Sequence, residues 1–203
     1  MRWVPLGGVL ATLAIAFLWR PWLQRSRYGH HGILLFRGGP AQHVRDAFAV
    51  ALFALLIAQS LVAALAPESL PLAQADRRAP AGLRLGCGAL LMLAGLVLLV
   101  TAQLELGASW RIGIDEAAKP GLVTSGVYSF SRNPIFLALL IVVAGYTLLI
   151  PTVLSAALLA GGYVGTRLQI AAEEAYLVHT YGDEYRAYAR RVGRLVLGIG
   201  KLA

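Results

Sequence analysis

The sequence predicts an all-α integral membrane protein with about five transmembrane helices and a C-terminal amphipathic helix at the membrane surface. Of the 203 residues, 58% are hydrophobic and only 14% are charged, whereas soluble domains are nearer a quarter charged. Apolar runs that approach the roughly 20 residues needed to cross a bilayer recur along the chain. The single cysteine, Cys87, excludes an intramolecular disulfide framework. The length suits one membrane domain over residues 1–203.

Four apolar stretches account for the five predicted spans. The last stretch, 134–172, is too long for one helix, since at 1.5 Å per residue it would measure about 58 Å. Pro151 lies near its middle and can begin a new helix, because a first-turn residue needs no N–H partner. The small residues of LGCGALLMLAG, 85–95, predict close helix packing. The predicted spans are 3–19, 44–66, 83–104, 134–150 and 151–175.

The basic residues predict the orientation of the spans. They concentrate in the loop after the first span, the loop after the third and the tail, which five spans place on one side. By the positive-inside rule this side is cytoplasmic, in an inner or plasma membrane. Arg77 and Arg78 then face outward, partly offset by Glu68 and Asp76. The net charge of +8 is attributed to loops that face anionic lipid, and no nucleic-acid partner is predicted.

The segment TSGVYSFSRNPIF, 124–136, predicts a helix start that can bind an anion. Asn133 is a good N-cap and Pro134 a good first helical residue. The free N–H groups of a helix start, with Arg132 beside them, favour a carboxylate. The alternative is a well-capped membrane helix with an interfacial arginine.

Two adjacent carboxylates, Glu173 and Glu174, close the last predicted span. Gln169 lies one turn before Glu173, and Arg167 about two turns before Glu174. Snorkelling explains Arg167, but carboxylates have no long stem and cytoplasmic lipid is anionic. The pair therefore indicates a cavity inside the protein.

The tail combines an aromatic stripe and a basic stripe at helical spacing. Tyr181, Tyr185 and Tyr188 form the first, and Arg186 and Arg190 belong to the second. This pattern is typical of an amphipathic helix at a membrane surface. The aromatic stripe fits either a membrane anchor or the closure of a site over the glutamates.

Three segments, taken in order, resemble the isoprenylcysteine carboxyl methyltransferases and the related phospholipid N-methyltransferases. They are GASWRIGIDE, then LVTSGVYSFSRNPIF, and then EE followed by YGDEYRAYARRV. The resemblance covers about residues 104–195. It implies S-adenosylmethionine as methyl donor, with S-adenosylhomocysteine as product, in a methyltransferase-like core over 105–203. The three-helix part over 1–104 carries no assigned motif.

Residues 132–136 are similar to the family's Arg-His-Pro-x-Tyr turn. Asn133 stands where the family has histidine and cannot titrate, and Phe136 keeps a stacking face without the hydroxyl group. From the resemblance we predict catalytic roles for Arg111, Glu174 and Arg186. The predicted cofactor-binding residues are Gly126, Tyr128, Arg132, Asn133, Pro134, Phe136, Glu173, Glu174, Tyr181 and Tyr185.

The predicted acceptor is a small lipophilic molecule that carries a carboxylate, an amine, a thiol or a lipid headgroup. It is expected to enter from lipid between the ends of the last two spans and the tail. A carboxylate is already ionised near neutral pH, whereas an amine or thiol needs a base, for which Glu173, Glu174, His179 and the tyrosines are candidates. No metal is predicted, because His30, His31 and His43 lack a ligand set.

Two alternatives remain open from the sequence. One is a membrane reductase, because some sterol reductases share a similar C-terminal architecture that binds a nicotinamide cofactor, although they have more spans. The other is a non-enzymatic membrane protein whose polar residues only anchor helices.

Overall fold

The computed structural model describes residues 2–71, 81–113, 121–196 and 199–201. The predicted positions of Arg77 and Arg78 lie outside these residues. The described chain forms a bundle of long helices connected by short turns and loops. We number the long helices α1 (Val4–Tyr28), α2 (Pro40–Leu65), α3 (Ala81–Glu105), α4 (Pro134–Leu149) and α5 (Val153–Arg191).

Three of these helices, α1, α2 and α3, are long and apolar enough to cross a membrane. They overlap the first three predicted spans, but α1 continues to Tyr28 and so includes Arg20, Arg25 and Arg27, which were predicted to lie in the following loop. Helix α4 is strongly apolar but has only 16 residues. The total of five spans therefore stays a prediction.

Helices α3 and α4 pack closely through small residues, as predicted from 85–95. A Cβ at Gly95 would lie 2.9 Å from the carbonyl oxygen of Ala138, and one at Gly145 would lie 2.6 Å from that of Gly88. Real Cβ atoms do not approach this closely. Glycine at these positions allows the two backbones to come into contact.

The turn between α4 and α5 differs slightly from the prediction. The Thr152 hydroxyl accepts a hydrogen bond from Ser155 N at 3.0 Å and so caps α5. Pro151 precedes this cap and does not begin the helix. The reason is that a threonine at the N-cap satisfies a free backbone N–H group, which proline cannot do.

Helix α5 does not end near residue 175 as predicted. It continues to Arg191, with a break only at Gly182, whose backbone is left-handed (φ 53°). No glycine or proline interrupts 166–181, so the helix has no local reason to stop before Gly182. The amphipathic tail predicted from Tyr181 onward lies almost entirely after this break, as the helical segment that ends at Arg191.

The ends of α1 and α3 are joined at one end of the bundle. Arg20 is fully buried, and its Nε and Nη2 atoms donate to the carbonyl oxygens of Gln103 (3.1 Å) and Gly107 (2.7 Å). The loops that follow pair through a short parallel bridge between Ile33 and Ile112. We call this end of the bundle, where α1 and α3 end and α2 and α4 begin, the polar end.

Candidate functional site

A cavity of about 530 Å³ lies within the bundle and reaches the polar end. Every long helix contributes to its wall, including α1 and α2 from the part of the chain without a predicted motif. The wall is mostly apolar, and its polar side chains come from the starts of α2 and α4, the end of α3, the loop after α3 and the second half of α5. These polar wall residues include Arg45, Asp46, Gln103, Arg111, Arg132, Gln169 and Glu173.

Arg132 is a buried cation of the polar end that lies in the cavity wall. It precedes α4 and is only 6% exposed. Its Nη2 atom bonds Glu174 Oε1 at 2.7 Å and the Gly200 carbonyl oxygen at 2.8 Å. Its Nε and Nη1 atoms are buried and have no hydrogen-bond partner among the described residues. Because buried donors are nearly always bonded, these two indicate a group that binds there.

The adjacent glutamates have separate surroundings. Glu174 is buried outside the cavity wall and binds Arg132 and Arg194, with Arg194 Nη2 at 2.7 Å from Oε2. Two arginines and one carboxylate leave this cluster with one positive charge. Glu173 lies in the cavity wall and accepts a hydrogen bond from Gln169 Nε2 at 2.9 Å. Neighbouring positions on a helix point about 100° apart, which separates the two carboxylates.

Gln169 joins Glu173 to a second cation across the bundle. Its Oε1 atom accepts from Arg45 Nε at 2.9 Å, while its Nε2 atom donates to Glu173. The amide therefore lies between an arginine of α2 and a carboxylate of α5. Gln103, at the end of α3, also lies in the wall, and its buried Oε1 atom has no partner within the described chain.

Asn133 occupies the N-cap position of α4, but its side chain does not cap the helix. Its Nδ2 atom instead donates to the Arg194 carbonyl oxygen at 2.9 Å. Arg132 N donates to the Gly193 carbonyl oxygen at 3.0 Å. The segment after α5 is thus held against the turn before α4. The predicted capping role is corrected, since the returning segment offers the amide a partner that the helix start does not.

Tyrosines from the last turns of α5 cover the cavity at the polar end. Tyr185 and Tyr188 are buried, and the Tyr188 hydroxyl donates to the Tyr128 carbonyl oxygen at 2.6 Å. The Arg132 guanidinium lies 5.9 Å from the Tyr185 ring centre. Gly121 N donates to the Tyr181 hydroxyl at 3.2 Å. Of the two interpretations of the aromatic stripe, this geometry favours closure of a site.

Burial decides the protonation of these tyrosines. It raises the pKa of Tyr188 to about 12, chiefly through desolvation of the phenolate. Burial also raises the pKa of Tyr128, and the Glu173 carboxylate raises it further. Burial raises the pKa of Tyr185 as well, and there the Glu174 carboxylate acts in the same direction. The three hydroxyl groups therefore stay protonated at neutral pH and are donors rather than bases.

Most predicted site residues come together in the cavity wall. These are Arg111, Tyr128, Arg132, Asn133, Pro134, Phe136, Glu173, Tyr181 and Tyr185. Three others lie outside it: Gly126 sits beside Glu105, Glu174 is bound by two arginines, and Arg186 is exposed and paired with Asp183 at 2.9 Å.

Sequence reasoning missed several wall residues, notably Arg45, Gln103 and Tyr188. Arg45 and Gln103 lie in the part of the chain without a motif, where only their polarity inside or beside apolar helices could have marked them. Tyr188 continues the spacing of Tyr181 and Tyr185, so this pattern alone was sufficient to include it.

The fold and this cavity indicate an integral membrane protein with a candidate ligand site at one end of its helix bundle. The family model for phospholipid methyltransferases matches residues 83–184, half of the chain. The chain therefore belongs to the phospholipid methyltransferase family. The match covers nearly all of α3, all of α4 and most of α5, which include Arg132, Gln169 and both glutamates.

The fold is similar to that of a solved membrane enzyme. A eukaryotic intramembrane Ras methyltransferase, isoprenylcysteine carboxyl methyltransferase, superposes with a TM-score of 0.64 at 17% identity. The superposition covers 100% of this chain and 69% of that one. No curated protein sequence matches the chain. Family and fold together identify an integral membrane methyltransferase.

Proposed function

We propose that the protein transfers a methyl group from S-adenosylmethionine to a lipophilic acceptor at the polar end of the cavity. The observation that carries this proposal is Arg132, a buried cation in the cavity wall with two donors that have no partner in the described chain. A guanidinium with two open N–H groups suits a carboxylate, which the donor possesses.

The other groups of the polar end fit the rest of the donor. The Glu173 carboxylate suits an ammonium group or ribose hydroxyls. The aromatic rings of Phe136, Tyr181 and Tyr185 offer stacking faces for adenine and electron-rich faces for a cation. When bound, the donor supplies a methyl group on a positively charged sulfur atom, ready for in-line displacement.

The chain's own contribution is positioning and exclusion of water. Apolar walls desolvate the acceptor, and holding two reactants in line contributes up to about 7–11 kcal/mol in favourable cases. The tyrosines are protonated at neutral pH and do not take up a proton. Glu173, a wall carboxylate whose charge acts on Tyr128, is the candidate base for an amine or thiol acceptor, and in that case it does not hold the ammonium group of the donor. A carboxylate acceptor needs no base. Arg111, also in the wall, suits an acidic acceptor.

The acceptor is proposed to enter from lipid between α2 and α5. Four large apolar wall residues are exposed: Val44 (70%) and Phe48 (45%) on α2, and Val164 (56%) and Leu168 (58%) on α5. We call the proposed entry between these residues, near the polar end, the side opening. Phe48 packs against Gly165 of α5 there, so a molecule entering from lipid has to displace its ring. This position differs from the expected entry between the ends of α4 and α5 and the tail, where Tyr185 and Tyr188 are buried.

Calorimetry of the detergent-purified protein tests the donor directly. We expect S-adenosylmethionine and S-adenosylhomocysteine to bind and NADPH not to bind. Binding of NADPH alone would favour a reductase, and binding of none would favour a non-enzymatic protein. A screen with labelled donor then identifies the acceptor class. Preferential methylation of water-soluble acceptors without an apolar part would exclude entry from lipid.

The polar end is proposed to face the cytoplasm, where the donor is available. The basic loops support this orientation through the positive-inside rule. Reporter fusions after residue 70 and at the C-terminus are expected to report opposite sides of the membrane. The same side for both would contradict five spans.

A further inference from the structure

We infer that Arg45 binds an anionic group of the acceptor, so that the acceptor is an amphiphile with a phosphate or carboxylate close to the methylated atom. This inference rests on the proposed function and names the acceptor's chemistry. It depends on four features of Arg45: its orientation, its free donors, its separation from nearby carboxylates and its position beside the side opening.

The orientation of Arg45 is set by a helix-to-helix hydrogen bond. Its Nε atom donates to Gln169 Oε1 at 2.9 Å, from α2 to α5. A snorkelling arginine would extend its guanidinium away from the bundle toward water. Arg45 is instead turned inward and forms part of the cavity wall.

The bond to Gln169 uses one edge of the guanidinium. In the described part of the chain, the terminal nitrogens Nη1 and Nη2 of Arg45 have no hydrogen bond or ion pair. These two nitrogens are the fork that binds phosphate or carboxylate with two parallel bonds.

Gln169 keeps Arg45 from being neutralised by Glu173. The amide accepts from Arg45 and donates to Glu173, so that no ion pair forms between these two described residues. The nearby carboxylate of Asp46 already accepts a hydrogen bond from Phe36 N at 2.8 Å. Arg45 therefore keeps a positive charge that an acceptor can use.

The location of Arg45 connects this charge to lipid. Val44 precedes it, Phe48 lies one turn further along α2, and both are exposed wall residues of the side opening. Phe48 packs on α5 where a Cβ at Gly165 would lie 2.7 Å from its ring. An alkyl chain that displaces the Phe48 ring would place its polar head at Arg45, which Gln169 links to Glu173.

Matched probes test the inference on the full-length protein in dodecyl maltoside. Calorimetry compares decyl phosphate, decanoate and decanol, which share one chain and differ in the head. We expect at least one anion to bind about tenfold more tightly than the alcohol, as a charged hydrogen-bonded pair provides. The stronger anion assigns the head as phosphate or carboxylate.

Arg45→Gln is expected to remove this preference, and Arg45→Lys to keep part of it, because the charge remains while the fork is lost. The matched control is Arg167→Gln, which removes an exposed arginine of α5 that lies outside the cavity wall. It should keep the full preference. Equal binding of all three probes to the wild type, or equal loss in the Arg45 and Arg167 variants, would overturn the inference.

Donor binding separates this inference from the proposed function. Arg45→Gln should still bind S-adenosylhomocysteine, since Arg132 and the bond between Gln169 and Glu173 remain. A wild type that binds the anions but not S-adenosylhomocysteine would contradict the proposed donor and leave the Arg45 site standing.

Discussion

Both ends of the helix bundle bury polar side chains, but a set around Gln59 at one end is mutually hydrogen-bonded, whereas several polar atoms at the other end lack partners among the described residues. Far from the polar end, the Gln59 amide accepts from the Tyr146 hydroxyl at 3.0 Å and from the Ser155 hydroxyl at 3.2 Å, and donates to Thr152 Oγ1 at 2.5 Å. We call this set the closed network. At the polar end, two nitrogens of Arg132, one nitrogen of Arg20 and one oxygen each of Gln24 and Gln103 lack partners among the described residues. Of these four residues, Arg132 and Gln103 line the cavity.

Whether a buried polar group has a partner distinguishes groups that stabilise the fold from groups that can bind a ligand. A buried network whose members satisfy one another ties helices together and leaves nothing for a ligand. Buried donors that remain open cost free energy, which a ligand recovers when it binds. The closed network therefore joins α2, α4 and α5, whereas Arg132 and Gln103, which are open and also lie in the cavity wall, mark the site.

Arg132→Gln should have the largest effect, because it removes the two open donors that Arg132 places in the cavity wall. Two charged hydrogen bonds contribute together about 4 kcal/mol, so S-adenosylhomocysteine affinity should fall about a thousandfold by calorimetry. Arg194→Gln is the matched control, since Arg194 binds the same carboxylate but lies outside the cavity wall. It should lower the melting temperature and keep donor binding. Equal affinity losses in both variants would mean that Arg132 acts only through Glu174.

The glutamates test the comparison within the polar end. Glu174→Gln weakens two ion pairs of 2.7 Å, and we expect a loss of about 2–3 kcal/mol of stability. Glu173→Gln should leave the melting temperature unchanged and lower donor affinity about tenfold, the effect of one charged hydrogen bond. Thermal unfolding and calorimetry on both variants check this separation. The reverse pattern would assign the donor contact to Glu174.

The sequence was sufficient to locate the helices and the carboxylates but not to separate the two glutamates. Apolar length predicted α1, α2 and α3, because hydropathy measures the same property that a bilayer selects. The bond between Gln169 and Glu173 followed from their spacing of one turn. Which glutamate faces the cavity depends on how α5 is rotated against α4, and packing with distant residues sets that rotation.

The role of Arg45 shows a second limit of sequence reasoning. Its partner Gln169 is 124 residues away, and no local pattern predicts such a pair. Asn133 shows the same limit, because its amide bonds a carbonyl oxygen 61 residues further along the chain. Contacts between distant segments, rather than local propensity, build this site.

Exchanging one glutamine at each end tests the comparison most directly. Gln59→Leu breaks the closed network and should cost about 1–2 kcal/mol of stability, while S-adenosylhomocysteine affinity stays unchanged. Gln169→Leu should do the opposite, with a small stability change and weaker donor binding, because Glu173 loses its hydrogen bond. Thermal unfolding and calorimetry of the pair measure both effects. A loss of donor affinity in Gln59→Leu would show that the two ends are coupled.

Tyr188→Phe should have the smallest effect and shows whether the tyrosines cover the site or take part in proton transfer. The variant removes the hydrogen bond to the Tyr128 carbonyl oxygen, so we expect a loss of about 1 kcal/mol of stability. Burial raises the pKa of Tyr188 to about 12, so the phenol is protonated throughout the neutral and mildly alkaline range. The pH–rate profile of methylation should therefore be the same for wild type and variant. If an alkaline limb of the profile disappears in Tyr188→Phe, the hydroxyl takes part in proton transfer and the polar end contains a base other than Glu173.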